Sequence, residues 1–181
     1  SVPRIDGAGL QQIALIADPS ASGMDLWTYS DFKLLPISAY NILATLLMLV
    51  EEGEPWPRQL LHTKAHLLSK NKDERLDPLQ YRFLLLTPVL YRLWAKQRLQ
   101  HLEGWIDKWV TPTMFGGVKG VGASEAWYLT AMEVEIAQLE DHPVVGGALD
   151  LYKCFDQIVR PLLYTVLTIA GLPPRVLRAY S

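Results

Sequence analysis

The sequence has little cysteine and no long apolar stretch, and both shortages exclude classes of protein. Cys154 is the only cysteine among 181 residues, so an internal disulfide is excluded, and the sequence is compatible with a reducing compartment. The longest apolar run, "ILATLLMLV" at 42–50, is too short to cross a bilayer and predicts a buried helix. No signal peptide is visible at the N-terminus. Half of the residues are hydrophobic and a fifth are charged, which is typical of a soluble globular protein without a membrane partner.

Familiar catalytic and metal-binding motifs are also missing from the sequence. The four histidines and the single cysteine show no zinc-ligand spacing. No Gly-x-Ser-x-Gly, Walker A or dinucleotide-binding fingerprint occurs. The glycine-rich "GGVKGVG" at 116–122 follows a predicted helix and does not end in Lys-Ser or Lys-Thr. An unrelated small-molecule enzyme would need a complete catalytic set that this sequence does not contain.

The net charge of the whole sequence is only −2, but charges of each sign are concentrated in different segments. Residues 56–108 contain ten Lys/Arg and five Asp/Glu, a net charge of +5, whereas the remaining residues contain seven and fourteen, a net charge of −7. The basic segment indicates either a polyanion-binding surface or an ordinary solvated surface. Tryptophans near it could stack on bases, but their helical spacing favours core packing of Trp94, Trp105, Trp109 and Trp127.

Apolar periodicity and turn residues predict a mixed α+β chain with helices packed on a small sheet. A candidate N-cap precedes each of two long helices, at Thr87 and Ser124. The runs 60–70 and 81–86 predict an antiparallel pair of strands with a long connection, and 143–151 predicts a further strand. The predicted helices are 9–17, 37–52, 88–110, 124–140 and 158–170.

The segment "GGALDLYKCFDQI" at 146–158 carries the most specific chemistry. A strand ending on Asp150 would present a carboxylate at the edge of a sheet, and hard oxygen ligands of this kind suit Mg²⁺ bound together with phosphates. The aromatic ring of Phe155, five residues after Asp150, could line the same site. The alternative is that Asp150 caps the following turn and that Phe155 belongs to the core.

Within this segment, "ALDLYKCFDQI" resembles motif A of reverse transcriptases, particularly those of non-LTR retrotransposons and group II introns. Other blocks resemble the same family in the same order. The resemblance implies an incomplete right-hand polymerase fold, with a fingers-like region at 1–142 and the start of the palm at 143–181. The additional blocks are "ASGMDLW" (21–27), "GEPWPRQLLHTKAHLLSKNKD" (53–73), "LDPLQYRFLLLTPVLYRLWAKQRL" (76–99) and "MFGGVKGVGASEA" (114–126).

The resemblance implies roles for three residues of the predicted palm. Asp150 matches a catalytic aspartate that helps to hold two Mg²⁺ ions, which activate the primer 3′-hydroxyl and neutralise the triphosphate. The backbone carbonyl of Leu151 matches a position that helps to coordinate the second ion. Phe155 matches the steric gate, a ring that excludes a ribose 2′-hydroxyl and so favours deoxynucleotides.

The resemblance also implies a nucleotide-binding role for cations of the fingers. Arg82 matches an arginine that lies along the incoming triphosphate, where a planar guanidinium suits phosphate oxygens. Lys70 matches a lysine near the β- and γ-phosphates, and Lys64 and Lys72 are alternatives for that position. Without the family match, each of these side chains would be interpreted as an ordinary solvated charge.

The sequence departs from the family at several places. Phe83 stands where "YRPISL" has proline, and Val121 stands where "GRS" has arginine. The "Y/F-A-D-D" motif, which supplies further metal-binding carboxylates, and motif B do not occur in residues 1–181. We therefore expect a part of an RNA-directed DNA polymerase that acts on an RNA template, a DNA primer and dNTPs, and that is inactive alone. The alternative is a non-enzymatic RNA-binding scaffold or a relic of a retroelement.

Overall fold

The computed structural model describes residues 2–69, 81–151 and 154–180. They contain eight α-helices, one short 3₁₀ helix at Cys154–Gln157 and two strands. The chain divides into two compact units, the first made of Ser1–Glu103 with Tyr164–Ser181 and the second of Gly104–Leu163. The α-helices are α1 (Gly7–Ile16), α2 (Tyr29–Lys33), α3 (Ile37–Glu52), α4 (Arg58–Leu61), α5 (Val89–Ile106), α6 (Ala123–Leu139), α7 (Arg160–Ile169) and α8 (Pro174–Tyr180), and the strands are β1 (Lys64–Ser69) and β2 (Tyr81–Leu86).

The five predicted helices and the antiparallel strand pair are confirmed, with ends shifted by up to four residues; residues 60 and 61 of the first predicted strand belong to helix α4. Helix α3 matches its predicted bounds because strong local signals flank it. Pro36 is its N-cap, and Gly53, with φ of 123°, ends it by donating its backbone N–H to the carbonyl of Leu49 at 3.1 Å. Glycine tolerates a positive φ that other residues avoid. Mixed α+β structure is thereby confirmed at the level of these elements.

The predicted strand at 143–151 is wrong. Residues 143–151 have no regular secondary structure and are exposed throughout. A strand needs a neighbour that pairs with its backbone, and among the described residues β1 and β2 pair only with each other. Gly146 and Gly147 further weaken an extended segment, since glycine loses the most backbone entropy on ordering. The expected end of a strand at Asp150 is therefore missing from the described fold.

The predicted packing of helices on a sheet is also wrong, because the core of the first unit is helical. Neither β1 nor β2 contains a buried residue. Helices α1, α3 and α5 instead bring together large apolar side chains that are at most 4% exposed, among them Leu10, Ile13, Tyr40, Leu47, Leu93 and Trp94. The first unit is thus a helical body from which an exposed hairpin extends.

A buried ion pair lies inside this helical body. Arg98 on α5 donates from Nε to Oε1 of Glu51 at 2.5 Å and from Nη2 to Oε2 at 2.6 Å, and both side chains have zero exposure. The indole N–H of Trp94 donates to the same Oε1 at 2.8 Å. Arg98 Nη1 also donates to the carbonyl of Pro3 at 2.7 Å. These contacts satisfy both charges, which burial requires.

The second unit has no buried residue among its described residues. Its long helix α6 begins at Ala123, with Gly122 as N-cap, and the Glu125 carboxylate accepts from the Gly122 N–H at 2.8 Å. The prediction of Ser124 as N-cap is therefore wrong by two positions. Trp109 and Trp127 are 45% and 73% exposed, so the expected core packing is wrong for them and confirmed for Trp94.

Candidate functional site

The hairpin of β1 and β2 positions the cation that the sequence assigns to the fingers. Leu68 pairs with Arg82, His66 with Leu84 and Lys64 with Leu86. Directly paired residues project to the same side of an antiparallel ladder, and alternate residues of one strand share a side. Arg82, His66 and Lys64 therefore occupy one side of the hairpin, with the Arg82 side chain exposed.

The other side of the hairpin carries one of the departures from the family pattern. Phe83 pairs with Leu67 and is 59% exposed. Strand β2 thus continues through the position where the family has proline, and proline would have removed a backbone donor there. The substitution is compatible with the hairpin.

Of the three candidate lysines, the structure describes Lys64. Lys64 lies four residues along the ladder from the partner of Arg82, roughly 13 Å at the rise of an antiparallel strand. Lys64 and Arg82 therefore share a side of the hairpin but sit at different points along it. Lys70 and Lys72 lie outside the described residues, so the assignment of Lys70 to the triphosphate stays a prediction.

The motif A residues lie in the second unit. Asp150 and Leu151 belong to the irregular segment before the 3₁₀ helix and are exposed, and Phe155 within that helix is 86% exposed. The alternative that placed Phe155 in the core is therefore wrong. Arg82 belongs to the first unit, so a common cleft containing Arg82, Asp150 and Phe155 stays a prediction.

The resemblance implies two Mg²⁺ ions near motif A, and the described carboxylates there can be compared with the set of ligands that two ions need. Among the residues that the structure describes, no group of three or more His, Cys, Asp or Glu side chains could hold a metal ion. Asp150 offers one exposed carboxylate, whereas two-metal chemistry requires several around both ions. The described residues therefore do not build a two-metal site by themselves.

The sequence interpretation missed an apolar cavity in the first unit, here named the Trp27 cavity. It has a volume of about 660 Å³, and Trp27, Phe32, Leu35, Leu43, Leu60 and Leu90 contribute its apolar lining. Asp25, Gln59 and His62 add polar groups. These residues come from four separate stretches of the chain, so no motif or spacing could have indicated the cavity.

Comparison with known proteins identifies no family for the chain. No protein-family model matches it, and no curated protein is significantly similar in sequence. Within residues 2–69, 81–151 and 154–180, no helix combines the length and apolar character needed to span a membrane. The resemblance to reverse transcriptases therefore depends on the sequence motifs alone.

Proposed function

We propose that this chain is part of an RNA-directed DNA polymerase from a retroelement, comprising the fingers and the first part of the palm of a right-hand polymerase fold. Motif blocks in the order of that family support the proposal. The observation that carries it is the exposed antiparallel hairpin, which occurs where the resemblance requires a fingers hairpin and has Arg82 on its surface.

Arg82 acts in this proposal on the triphosphate of the incoming dNTP. Its guanidinium presents planar donors that match phosphate oxygens in pairs, which a lysine ammonium cannot reproduce. The open hairpin leaves the side chain accessible to a ligand. The basic segment 56–108, with its net charge of +5, supplies phosphate contacts to the RNA template and DNA primer.

Asp150, Leu151 and Phe155 act in this proposal at the reacting end of the nucleotide. The Asp150 carboxylate and the Leu151 carbonyl are one part of a Mg²⁺ site whose other carboxylates lie elsewhere, and the bound ions supply charge neutralisation at the phosphates. The exposed ring of Phe155 is the steric gate against a ribose 2′-hydroxyl.

The test is primer extension by the full gene product that carries this sequence, with an RNA template, a DNA primer, Mg²⁺ and either dNTPs or rNTPs. We expect Asp150→Asn to abolish extension while template binding persists, and Phe155→Val to keep extension and admit rNTPs. Arg82→Lys should raise the KM for dNTPs about tenfold or more, because the paired guanidinium contacts are lost. Arg58→Lys, an exposed arginine of the same basic segment, is the matched control and should leave the KM unchanged.

Two outcomes decide between the proposal and its alternative. Extension that survives in Asp150→Asn contradicts the metal role of this carboxylate. A full gene product that binds RNA with strong salt dependence but never extends a primer favours the RNA-binding scaffold. Residues 1–181 alone should bind RNA weakly and show no extension, since Asp150 is the only carboxylate here in a recognisable metal-binding motif.

A further inference from the structure

The Trp27 cavity has the size and lining of a small-molecule site. Its volume of about 660 Å³ falls within the roughly 300–1,000 Å³ typical of ligand pockets. Most of its lining is apolar, and three polar residues, Asp25, Gln59 and His62, supply the few oriented groups that such pockets use for specificity. The cavity belongs entirely to the first unit.

Asp25 gives the cavity a specific electrostatic character. Its Oδ1 is buried and has no hydrogen-bond partner within the part of the chain that the structure describes. Because Oδ1 is itself inaccessible, a ligand can meet only the remaining part of this half-buried residue. A donor that reaches the unpaired carboxylate there gains more than its apolar contact alone, and a positively charged N–H group suits a carboxylate best.

A smaller cavity next to Asp25 strengthens this preference for positive charge. It has a volume of about 290 Å³ and is lined by Asp25, Leu26, Trp27 and Asp31. Asp25 and Trp27 line both cavities. The smaller cavity, with two aspartates, therefore forms an acidic end beside the apolar Trp27 cavity. Asp31 Oδ2 already accepts from the backbone N–H of Thr28 at 2.8 Å and from its hydroxyl at 2.6 Å, whereas Asp25 Oδ1 accepts from none of the described residues.

The backbone around Asp25 is held in an unusual conformation. Leu26 has φ of 62°, a left-handed conformation that is strained for a non-glycine residue. At Gly23, a Cβ atom would lie 2.9 Å from the backbone nitrogen of Pro88, so the loop lies tightly against the start of α5. Strain of this kind persists where surrounding contacts impose it, and it is frequent at ligand sites.

We propose that the Trp27 cavity binds an organic cation, namely a protonated amine attached to an aromatic or aliphatic body. The apolar body occupies the space between Trp27, Leu43 and Leu60, and the ammonium group donates to Asp25. Anionic ligands are disfavoured because Asp25 and Asp31 both line the acidic end. This binding activity does not depend on the polymerase proposal.

The test uses the 181-residue chain and three matched probes in isothermal titration calorimetry: 1-naphthylmethylamine, 1-naphthalenemethanol and 1-naphthoate. We expect the amine to bind about tenfold or more tightly than the alcohol, as a charge-assisted hydrogen bond would give, and the carboxylate not to bind. Asp25→Asn should reduce the preference for the amine to near unity. Asp18→Asn, which changes an exposed carboxylate, should leave the preference intact.

A second measurement on the unmodified chain keeps the proposal testable if Asp25→Asn fails to fold. Intermolecular nuclear Overhauser effects should connect the naphthyl protons with the Trp27 indole and the Leu60 methyl groups. The proposal is overturned if the alcohol binds as tightly as the amine, if no probe binds saturably, or if these effects arise from other residues.

Discussion

Glu51 and Arg98 carry opposite charges in the interior of the first unit, where neither side chain has any exposure. Two parallel hydrogen bonds join them, and Arg175 Nε lies 3.7 Å from the second carboxylate oxygen. Arg98 also ties Pro3 to α5. This cluster therefore links the start of the chain, α3, α5 and α8 through single residues.

Removing the charge of Glu51 should destabilise the protein strongly. Glu51→Gln leaves Arg98 buried without an opposite charge, and breaking a buried pair in this way costs about 3–5 kcal/mol. We expect a loss of that size in the free energy of unfolding, measured by urea denaturation. Glu52→Gln is the control, since Glu52 pairs with Arg4 at 3.0 Å on the surface, and its loss should be below about 1 kcal/mol. Equal effects of the two variants would contradict this interpretation of the buried pair.

His101 gives the same cluster a dependence on pH. Arg98 Nη1 lies 2.9 Å from His101 Nδ1, and because a guanidinium only donates, Nδ1 must be the acceptor. Burial, and then the positive charge of Arg98, lower the pKa of His101 from its ordinary 6.5, although Asp6 and Glu51 oppose the shift. The folded protein thus favours the neutral imidazole.

Stability should fall as the pH decreases below the ordinary pKa of histidine. The unfolded chain takes up a proton at His101 near pH 6.5, while the folded protein takes it up only at lower pH. Between those values the unfolded state binds more protons, so the free energy of unfolding falls as the pH is lowered. Urea denaturation at about pH 7.5 and about pH 5.5 should show a smaller decrease in His101→Gln. His142→Gln, at an exposed histidine, should retain the full decrease.

At the scale of elements, the contact between α1 and α3 depends on a glycine at the start of α1. A Cβ atom at Gly7 would lie 2.2 Å from Oδ1 of Asn41 and 2.8 Å from the Asn41 backbone nitrogen. Backbone cannot move aside without shifting a helix, so the absence of a side chain lets the two helices approach. Gly104, near the end of α5, has nothing within 4 Å of the same point.

The substitutions Gly7→Ala and Gly104→Ala should therefore have opposite signs. Gly7→Ala forces α1 away from α3, and overpacking of this kind costs about 1–3 kcal/mol. Gly104→Ala gains helix propensity without a clash, up to about 1 kcal/mol. Thermal unfolding followed by circular dichroism should show a lower Tm for the first variant and a higher Tm for the second. A stabilising effect of Gly7→Ala would contradict the close helix contact.

At the scale of the whole molecule, burial is distributed unequally between the two units. The buried side chains of the described structure all lie in the first unit. The described residues of Gly104–Leu163 are all half-buried or exposed. Helix α6 leaves Trp127, Leu129 and Ile136 at least 48% exposed. Elements with few buried contacts open locally at low free energy.

Amide hydrogen exchange should separate the two units in the isolated chain. We expect slow exchange in α3 and in the N-terminal half of α5, because their opening requires disruption of the core. Amides of α6 should exchange at least about tenfold faster, as expected for a helix without a buried face. Slow exchange throughout α6, read by mass spectrometry of peptic peptides, would show that another surface covers this helix.

Local patterns were sufficient for the five predicted helices and the hairpin, since propensity, caps and turn residues act over a few positions, but they did not indicate the short helices α2 and α4. The bounds of α3 follow from Pro36, Gly53 and the apolar run between them, and the exposed position of Arg82 is the one that a charged side chain normally adopts. The same patterns do not distinguish Trp94, which is buried, from Trp127, which is exposed. Burial depends on which distant segments pack against a residue.

Contacts between distant segments decided the remaining features. The segment 143–151 has the composition of a strand, but no described strand pairs with it. Glu51 and Arg98 are 47 positions apart, and their pairing requires the fold to bring α3 and α5 within reach of each other's long side chains. Asp25 lines a cavity only because Leu60 and Leu90, which are distant in sequence, complete the lining of the Trp27 cavity. Local energetics select secondary structure, whereas desolvation and pairing energies depend on neighbours that are remote in sequence, and only the folded chain supplies those neighbours.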